Sequence, residues 1–286
     1  MSKVLVTGCS SGIGQATALA LGRAGHTVLA TMRNPGAATQ LRQTVDKEKL
    51  PIFVLQLDVD SDESVAAAFS AARSQAGSID ALVNNAALDI NGSIEELPLE
   101  TFRAVMNTNY LGSLRCIKAC LPEMRERRSG CIVNVSSVAG RVAASPMGAY
   151  AASKAAIEAM SEALAQEVKP FNVRIAIVQP GIVDTPMARR IAAPEARSKY
   201  PHLRRFAGMF TAALANPVPP SLVADKIREI IESGNVQLRY PVGPDAPGFL
   251  GLRASMTDEA WVDWGAQGDD AWYDRVQSDF GLDARG

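Results

Sequence analysis

Short apolar runs alternate with longer stretches of helical spacing through the first 180 residues of this 286-residue chain. The runs are hydrophobic along their whole length, which is typical of parallel strands covered by helices on both faces. Repetition of strand, helix and strand predicts an α/β fold, a Rossmann-type doubly wound parallel sheet with helices on both faces. The runs read KVLVT, TVLAT, IFVLQL, DALVNN, CIVNVS and VRIAIV, and a weaker VQLRY near Val236 makes about seven strands.

The regular alternation ends after Pro180. We expect one nucleotide-binding catalytic domain over residues 1–254, with an irregular helical lobe at about 186–216 on the substrate side. A C-terminal extension over 255–286 carries all three tryptophans of the chain. It is expected to cover the substrate cleft, to pack against a neighbouring subunit, or to complete the fold. The predicted helical segments span roughly residues 13–24, 36–48, 62–76, 100–126 and 150–169.

The charge balance and the cysteine usage limit the classes of protein that fit this chain. Its 29 basic and 30 acidic residues leave a net charge of −1, so neither nucleic acid nor an anionic membrane is an expected partner. Four scattered cysteines and two histidines form no metal-binding spacing, and we expect buried thiols in a reducing compartment. The chain enters a strand almost at once and has no run long enough to cross a bilayer, which predicts a cytoplasmic protein.

The sequence TGCSSGIG, from Thr7 to Gly14, lies between the first predicted strand and the first helix. Glycines let the backbone turn tightly and approach a ligand without an intervening Cβ. A helix that begins directly after such a loop offers free N–H groups and a positive dipole end to an anion. The loop therefore predicts a pyrophosphate site, with cofactor contacts expected from Gly8, Ser10, Ser11, Gly12, Ile13 and Gly14.

Tyr150 and Lys154 lie four positions apart in the predicted helical segment GAYAASKAA. Positions i and i+4 share a helix face, so the phenol and the ammonium face the same space. A positive charge about 4 Å from a forming phenolate is worth roughly 4 kcal/mol at an effective dielectric constant near 20. That energy would bring the pKa of Tyr150 from about 10 to near ~7, where proton transfer at neutral pH is most effective.

These motifs together resemble the short-chain dehydrogenase/reductase family over about residues 3–190. The glycine loop matches the TGxxxGxG pattern of that family, and Ser137 precedes Tyr150 by the usual 13 residues. Within the family the chain most resembles the 17β-hydroxysteroid dehydrogenases and related carbonyl reductases. The further motifs follow in order as Asp58-Val59, NNAA from Asn84 to Ala87, NTNYLG with Asn109, NVSSVAG with Ser137, YAASK, and PGIVDTP from Pro180.

The resemblance implies a reversible oxidoreductase that moves hydride between a nicotinamide cofactor and a ketone or aldehyde, with Tyr150 supplying the proton. Ser137 would donate a second hydrogen bond to the substrate oxygen, and strand alternation distinguishes it from Ser136. Asn109 would hold a water that links Lys154 to solvent. The adenine would lie at Asp58 and Val59, and the nicotinamide carboxamide at Val183 and Thr185. Implied cofactor contacts beyond the glycine loop are Asp58, Val59, Asn85, Ala86, Tyr150, Lys154, Pro180, Gly181, Val183 and Thr185.

The end of the second strand, VLATMRNP, indicates which dinucleotide binds. An NAD site needs a carboxylate there for the ribose hydroxyls, yet no acidic residue occurs before Asp46. Thr31 falls at the acidic position of the family, and the guanidinium of Arg33 suits bidentate binding of a phosphate. We therefore predict NADP(H) in preference to NAD(H), with Thr31 and Arg33 on the 2′-phosphate. The alternative is that Arg33 is a solvated loop charge.

The substrate side is the least constrained by the sequence. Leu88 directly follows the NNAA motif, and Met147 lies just before Tyr150. Both are predicted pocket walls, together with Phe206 of the lobe. Hydrophobic neighbours favour an apolar ketone or alcohol as the small-molecule substrate. Residues 187–205 carry six basic side chains and the single acid Glu195. These basic side chains either attract an anion or form the solvated face of a lid helix.

Two other functions fit the same fold. A catalytically silent NADP-sensing or scaffolding protein would not need Asn109, Ser137, Tyr150 and Lys154 together. An epimerase or dehydratase of the same superfamily usually has a different glycine loop and a larger C-terminal domain. By the same resemblance, the alanine-rich helix from Tyr150 and the helix around 100–126 would build a four-helix interface, so a homodimer or homotetramer is expected.

Overall fold

The structure, a computed structural model, describes residues 1–194 and 198–285. Its strands are β1 (Lys3–Val6), β2 (Thr27–Met32), β3 (Ile52–Gln56), β4 (Ala81–Asn84), β5 (Gly130–Val135), β6 (Val173–Pro180) and β7 (Arg239–Val242). They form one parallel sheet in the order β3-β2-β1-β4-β5-β6-β7, which confirms the predicted doubly wound fold. The strand order reverses between β1 and β4, and open parallel sheets bind ligands beside such a reversal.

The register of the strands brings the ends that carry the motifs to one edge of the sheet. Val6 at the end of β1 pairs with Ala30 of β2 on one side and with Val83 of β4 on the other. Six strands lie where the apolar runs predicted them. The seventh begins at Arg239 rather than near Val236, because Arg239 is the residue that pairs with Ile177 of β6.

Helices cover both faces of the sheet. In the described residues the helices are α1 (Gly12–Arg23), α2 (Thr39–Glu48), α3 (Asp62–Ala76), α4 (Leu99–Met106), α5 (Gly112–Glu126), α6 (Gly148–Val168), α7 (Pro186–Ala192), α8 (His202–Leu214), α9 (Pro220–Ser233), α10 (Ala246–Ala254), α11 (Asp258–Ala266) and α12 (Asp269–Phe280). Helices α1, α2 and α9 bury one apolar cluster with residues such as Val4 and Val6, and helices α3, α5 and α6 bury the other with Leu5 and Leu82. Alternate residues of β1 therefore point into different layers, as its unbroken apolar pattern requires.

The segment predicted as one helix over 100–126 is two helices joined by a π-helical turn. The turn spans Asn107–Leu111 between α4 and α5. The side chain of Asn109 in this turn bonds to the loop after β4 (below), so the widened turn is stabilised by a contact that helical periodicity does not reveal.

Helices α7, α8 and α10 to α12 lie beyond the carboxyl ends of the strands. They share a third apolar cluster, to which α8 contributes Phe206, α10 contributes Phe249 and α12 contributes Val276. The lobe after β6 and the C-terminal segment are thus packed into one layer. None of the helices in the described ranges has both the length and the hydropathy needed to cross a bilayer.

Candidate active site

A cleft of about 960 Å³ opens at the carboxyl edge of the sheet, beside the reversal of strand order. Three of the predicted site residues, Gly14, Thr31 and Asn109, lie behind its wall. The predicted residues that line it are Gly8, Ser10, Ser11, Gly12, Ile13, Arg33, Asp58, Val59, Asn85, Ala86, Leu88, Ser137, Met147, Tyr150, Lys154, Pro180, Gly181, Val183, Thr185 and Phe206.

The glycine loop has the backbone shape that a phosphate cradle requires. Gly8 and Gly12 have φ values of +73° and +58°, a region that residues with a Cβ rarely adopt. A Cβ at Gly8 would lie only 2.8 Å from the Cα of Ala86. The hydroxyl of Ser11 makes no capping bond to α1, so the first turn of that helix keeps its N–H groups for another acceptor. These features fit the pyrophosphate of a dinucleotide.

Gly14 has a different role from the predicted cofactor contact. A Cβ there would lie 2.3 Å from the carbonyl oxygen of Gly8 and 2.5 Å from Nδ2 of Asn85. The absence of a side chain at Gly14 therefore lets α1 pack directly against the loop and the end of β4. Gly14 shapes the cradle from behind, and its contact with the cofactor stays a prediction.

Thr7 joins the glycine loop to the loop after β4, a role that the sequence analysis missed. Its Oγ1 accepts the N–H groups of Asn85 at 2.9 Å and Ala86 at 3.0 Å. In return, Nδ2 of Asn85 donates to the carbonyl of Thr7 at 2.9 Å. A polar residue at the end of an apolar strand was the available signal. The predicted contacts Asn85 and Ala86 are held in place by these bonds.

The prediction for Thr31 is wrong, because its side chain cannot reach a ligand. Thr31 is fully buried, and its Oγ1 donates to the carbonyl of Val6 at 3.0 Å. Its hydroxyl is turned toward the end of β1, and Met32 and Arg33, which follow it in the chain, line the cleft instead. Arg33 is exposed and makes no ion pair with any residue that the structure describes. Its guanidinium is free to bind an anion at the glycine-loop end of the cleft.

Tyr150, Lys154 and Ser137 converge on the cleft from α6 and from the end of β5. Nζ of Lys154 lies 5.5 Å from the ring centroid of Tyr150 and donates to the carbonyl of Val135 at 2.8 Å. Ser137 begins a short 3₁₀ turn, in which its Oγ accepts the N–H of Ala139 at 3.1 Å. Ser137, rather than its neighbour Ser136, interacts with the Tyr150 phenol and lowers its pKa.

The electrostatics of the pair differ from the expectation. Burial raises the pKa of Tyr150 well above that of a free phenol, the carboxylate of Asp89 raises it further, and the hydrogen bond with Ser137 lowers it. Burial likewise lowers the pKa of Lys154 to about 8, against the opposing charges of Asp89 and Glu158. Desolvation is the largest influence on the Tyr150 phenol, so its pKa lies above the value of about 10 for a free phenol rather than near the predicted ~7.

Asn109 positions the loop after β4. Its Oδ1 accepts the N–H of Leu88 at 2.7 Å, and its Nδ2 donates to the carbonyl of Leu88 at 2.9 Å and to Oγ of Ser153 at 2.8 Å. Asn109 is fully buried and its side-chain donors are both used. It is a positioning residue, and its predicted part in a water-mediated relay from Lys154 stays a prediction.

A carboxylate from a distant loop supports the turn after β6. Oδ2 of Asp245 accepts the N–H of Ile182 at 2.7 Å. A Cβ on Gly181 would lie 2.1 Å from Oδ1 of the same carboxylate, so only glycine fits there. Thr185 lines the cleft while its Oγ1 accepts the N–H of Ala188 at the start of α7. The sequence analysis missed Asp245, although an acid in the GPD turn after the last strand was visible.

The C-terminal segment lines the cleft, which agrees with the first of the three roles left open by the sequence. Trp261 stacks on Trp264 with ring centroids 5.2 Å apart, and its Nε1 donates to the carbonyl of Ala143 at 2.7 Å. The cleft here is also lined by Trp272 and by the predicted wall residue Phe206. The result is an aromatic wall in the same cleft that Tyr150 lines.

Several basic residues of the lobe serve packing rather than ligand attraction. Arg189 pairs with Asp184 at 2.7 Å, and Arg204 and Arg205 both bind Asp269 of α12, at 2.6 and 2.7 Å. The two pairs with Asp269 join the lobe to the C-terminal segment. Arg190 lines the cleft. Glu195 and Arg197, which belong to the same predicted cluster, lie outside the described residues.

Comparison with known proteins agrees with this fold and site. The short chain dehydrogenase family matches residues 2–196. Oxidoreductase BOA17 of Botryotinia fuckeliana is 33% identical over 268 residues, covering 91% of this chain and 97% of that protein. Retinol dehydrogenase 8 of Bos taurus is 41% identical over 203 residues, covering 69% and 64%. A crystal structure of a short-chain dehydrogenase from Streptomyces avermitilis superposes with a TM-score of 0.76 at 33% identity, covering 93% and 98%.

The chain therefore belongs to the short-chain dehydrogenase/reductase family. It is an oxidoreductase, and the family uses a nicotinamide cofactor. The glycine cradle and the cleft at the strand reversal fit such a dinucleotide. In the described residues, no group of three or more His, Cys, Asp or Glu side chains is arranged to hold a metal ion.

Proposed function

We propose that this protein is an NADP(H)-dependent carbonyl reductase, which interconverts a hydrophobic ketone or aldehyde and the corresponding alcohol. The observation that carries the proposal is the convergence of Tyr150, Ser137 and Lys154 on one cleft between a glycine cradle and an aromatic wall. A dinucleotide in the cradle and an apolar carbonyl compound against the wall would meet at these three side chains.

The chain's own groups support the proton transfer. The Tyr150 phenol is protonated at neutral pH because burial raises its pKa, and it is therefore a donor to the substrate oxygen in the reducing direction. Ser137 supplies a second, neutral donor where negative charge develops. Lys154 is held against Val135, so its charge stabilises the phenolate left behind. The bound cofactor, when reduced, supplies the hydride.

The preference for NADP(H) rests on Arg33. It lines the same cleft as the glycine cradle and makes no ion pair with another described residue. The chain lacks an acidic residue before Asp46, so no carboxylate at the end of β2 would repel a 2′-phosphate. The guanidinium alone now carries this proposal, because Thr31 is buried.

The apolar character of the substrate is supported by the wall that the C-terminal segment builds. Trp261, Trp264 and Trp272 come together with Phe206 and Met147 along one side of the cleft. The similar bovine protein is named for retinol, an apolar alcohol. We propose an apolar body for this substrate on the strength of the wall, with the relative as secondary support.

The test is consumption of NADPH by the purified protein with aliphatic, aryl, 3-oxoacyl and steroid carbonyl compounds, with NADH in parallel. We expect turnover of at least one apolar class and a higher kcat/KM with NADPH. Binding of NADPH without turnover of any compound would favour a sensing or scaffolding protein. Product analysis that finds an epimer or a dehydrated compound would favour the other enzyme class.

The proposal also includes a homodimer or homotetramer, as the family resemblance implies. Light scattering coupled to size-exclusion chromatography measures the mass in solution. A monomeric mass of about 30 kDa, the mass of one chain, would contradict it.

A further inference from the structure

Asp89 is an acidic residue in the cleft that the reaction described above does not use. It lies in the loop after β4, and both ends of its segment are anchored. Leu88 exchanges two hydrogen bonds with Asn109, and the N–H of Gly92 donates to the carbonyl of Pro146 at 3.0 Å. Pro146 closely precedes α6, which carries the reacting pair Tyr150 and Lys154. Asn109 donates to Oγ of Ser153 on the same helix. Asp89 is therefore held in a fixed place beside the reacting pair.

The carboxylate of Asp89 is only partly satisfied by the protein. Its Oδ1 accepts Nδ2 of Asn91 at 2.9 Å, and within residues 1–194 and 198–285 its Oδ2 has no hydrogen-bond partner. Asp89 lines the same cleft as Tyr150 and Lys154, and its charge raises the pKa of both groups. The carboxylate thus lies in the cleft within electrostatic range of Tyr150 and Lys154.

Asp89 is mostly ionised at neutral pH in spite of its surroundings. Burial raises its pKa to about 6, while Asn91, Lys154 and Arg190 act to lower it. A half-buried carboxylate is unfavourable unless its lone pairs meet a donor. A substrate group that donates a hydrogen bond would meet this requirement.

We propose that Asp89 binds a hydroxyl group next to the reacting carbonyl, so the preferred substrate is an α-hydroxy ketone with an extended apolar body. The inference rests on the proposed reductase function and names the substrate class of the same site. A hydroxyl fits better than an ammonium group, because Lys154 and Arg190 already place positive charge around Asp89. The apolar body would lie along the tryptophan wall.

The first test compares three aryl ketones that differ only at the carbon beside the carbonyl, which carries hydrogen, a hydroxyl or an amino group. For the wild-type enzyme with NADPH, we expect kcat/KM for the hydroxy ketone to exceed that for the plain ketone by about tenfold or more, as one charge-assisted hydrogen bond allows. In Asp89→Ala this ratio should fall to near one, and Asp89→Asn should retain part of it because the amide oxygen still accepts. The control is Asp263→Asn, which makes the same change at an exposed carboxylate on α11 and should keep the wild-type ratio.

Three outcomes of this test would overturn the inference. The first is a wild-type ratio near one. The second is an equal fall in kcat/KM for the hydroxy ketone and the plain ketone in Asp89→Ala. The third is a preference for the amino ketone that depends on Asp89. An equal fall would mean that Asp89 only supports Tyr150.

A second measurement does not depend on turnover. Because three tryptophans line the cleft, quenching of tryptophan fluorescence reports binding of each ketone. We expect the hydroxy ketone to bind wild type more tightly than Asp89→Ala, and the plain ketone to bind both alike. Equal affinity of both proteins for the hydroxy ketone overturns the inference. Failure of every ketone to be reduced, with this binding difference intact, overturns the proposed reductase function instead.

Discussion

The ammonium of Lys154 is bound to the carbonyl of Val135, at the last residue of β5, over a distance of 2.8 Å. Lys154 is almost completely buried, with 2% of its surface exposed. The bond joins α6 to the central sheet and leaves the ammonium near the Tyr150 ring. The bond thereby keeps the Lys154 ammonium beside Tyr150. Burial disfavours its charge and lowers the pKa of Lys154 to about 8.

This pKa predicts how stability depends on pH. The folded-state pKa of Lys154, about 8, lies below its unperturbed value of 10.5, so the unfolded chain binds more protons between these values. The contribution of Lys154 to the free energy of unfolding therefore rises with pH from about 8 to about 10.5, by an order of 3 kcal/mol. Urea denaturation of wild type and Lys154→Met at several pH values measures it. A difference between the two proteins that is constant over this range would contradict the prediction.

Replacement of Tyr150 by phenylalanine should remove the proton donor and leave the cofactor cradle intact. We expect kcat to fall by roughly 100-fold or more, the usual contribution of a general acid, while the dissociation constant for NADPH changes little. Steady-state kinetics and fluorescence titration measure the two quantities. Tyr110→Phe removes a phenol outside the cleft and should behave as wild type. Normal turnover by Tyr150→Phe would refute the assignment.

Arg33→Ala tests the choice of dinucleotide. Loss of a charge-assisted bond to the 2′-phosphate should raise the KM for NADPH by about tenfold or more and leave that for NADH unchanged. The control is Arg103→Ala, which removes an exposed arginine on α4 that pairs with Glu100. If both cofactors lost affinity equally, Arg33 would have a general electrostatic effect and the proposed NADP(H) preference would lose its support.

Trp261→Ala should open the aromatic wall. The change removes the hydrogen bond to Ala143 and the stacking on Trp264. Stacking of this kind is worth about 0.5–1.5 kcal/mol. We expect KM to rise by about tenfold for large apolar ketones and to change little for small ones. Asp263→Ala, an exposed site on the same helix, should leave both unchanged. Equal effects on small and large ketones would show that Trp261 does not contact the substrate.

Gly181→Ala tests the turn that Asp245 supports. The added methyl would collide with a carboxylate oxygen at 2.1 Å, so the turn must shift. We expect a loss of about 1–3 kcal/mol in the free energy of unfolding, together with weaker cofactor binding. Gly248→Ala in α10 has no atom within 4 Å of the new methyl and should instead stabilise by about 0.5–1 kcal/mol. Similar unfolding curves for both variants would contradict this account.

Much of the sheet and of the cradle was predictable, because each rests on a pattern read within a few residues. Fully apolar runs separated by helical stretches define parallel strands, and the glycines before α1 define a close backbone approach. The errors came from side-chain direction. Thr31 was expected at a ligand and lies inside the sheet. The bonds of Asn109 to a loop 21 residues away were not predicted, and its part in a relay stays a prediction.

The sequence by itself determined the strands, the glycine loop and the pairing of Tyr150 with Lys154, because periodicity and helical spacing are local properties of the chain. Tertiary structure alone decided the pKa of Tyr150, the tryptophan wall and the placement of Asp89 beside the reacting pair. The physical reason is that desolvation and charge depend on which distant segments surround a group. In this protein those segments come from the lobe, the C-terminal helices and the loop after β4.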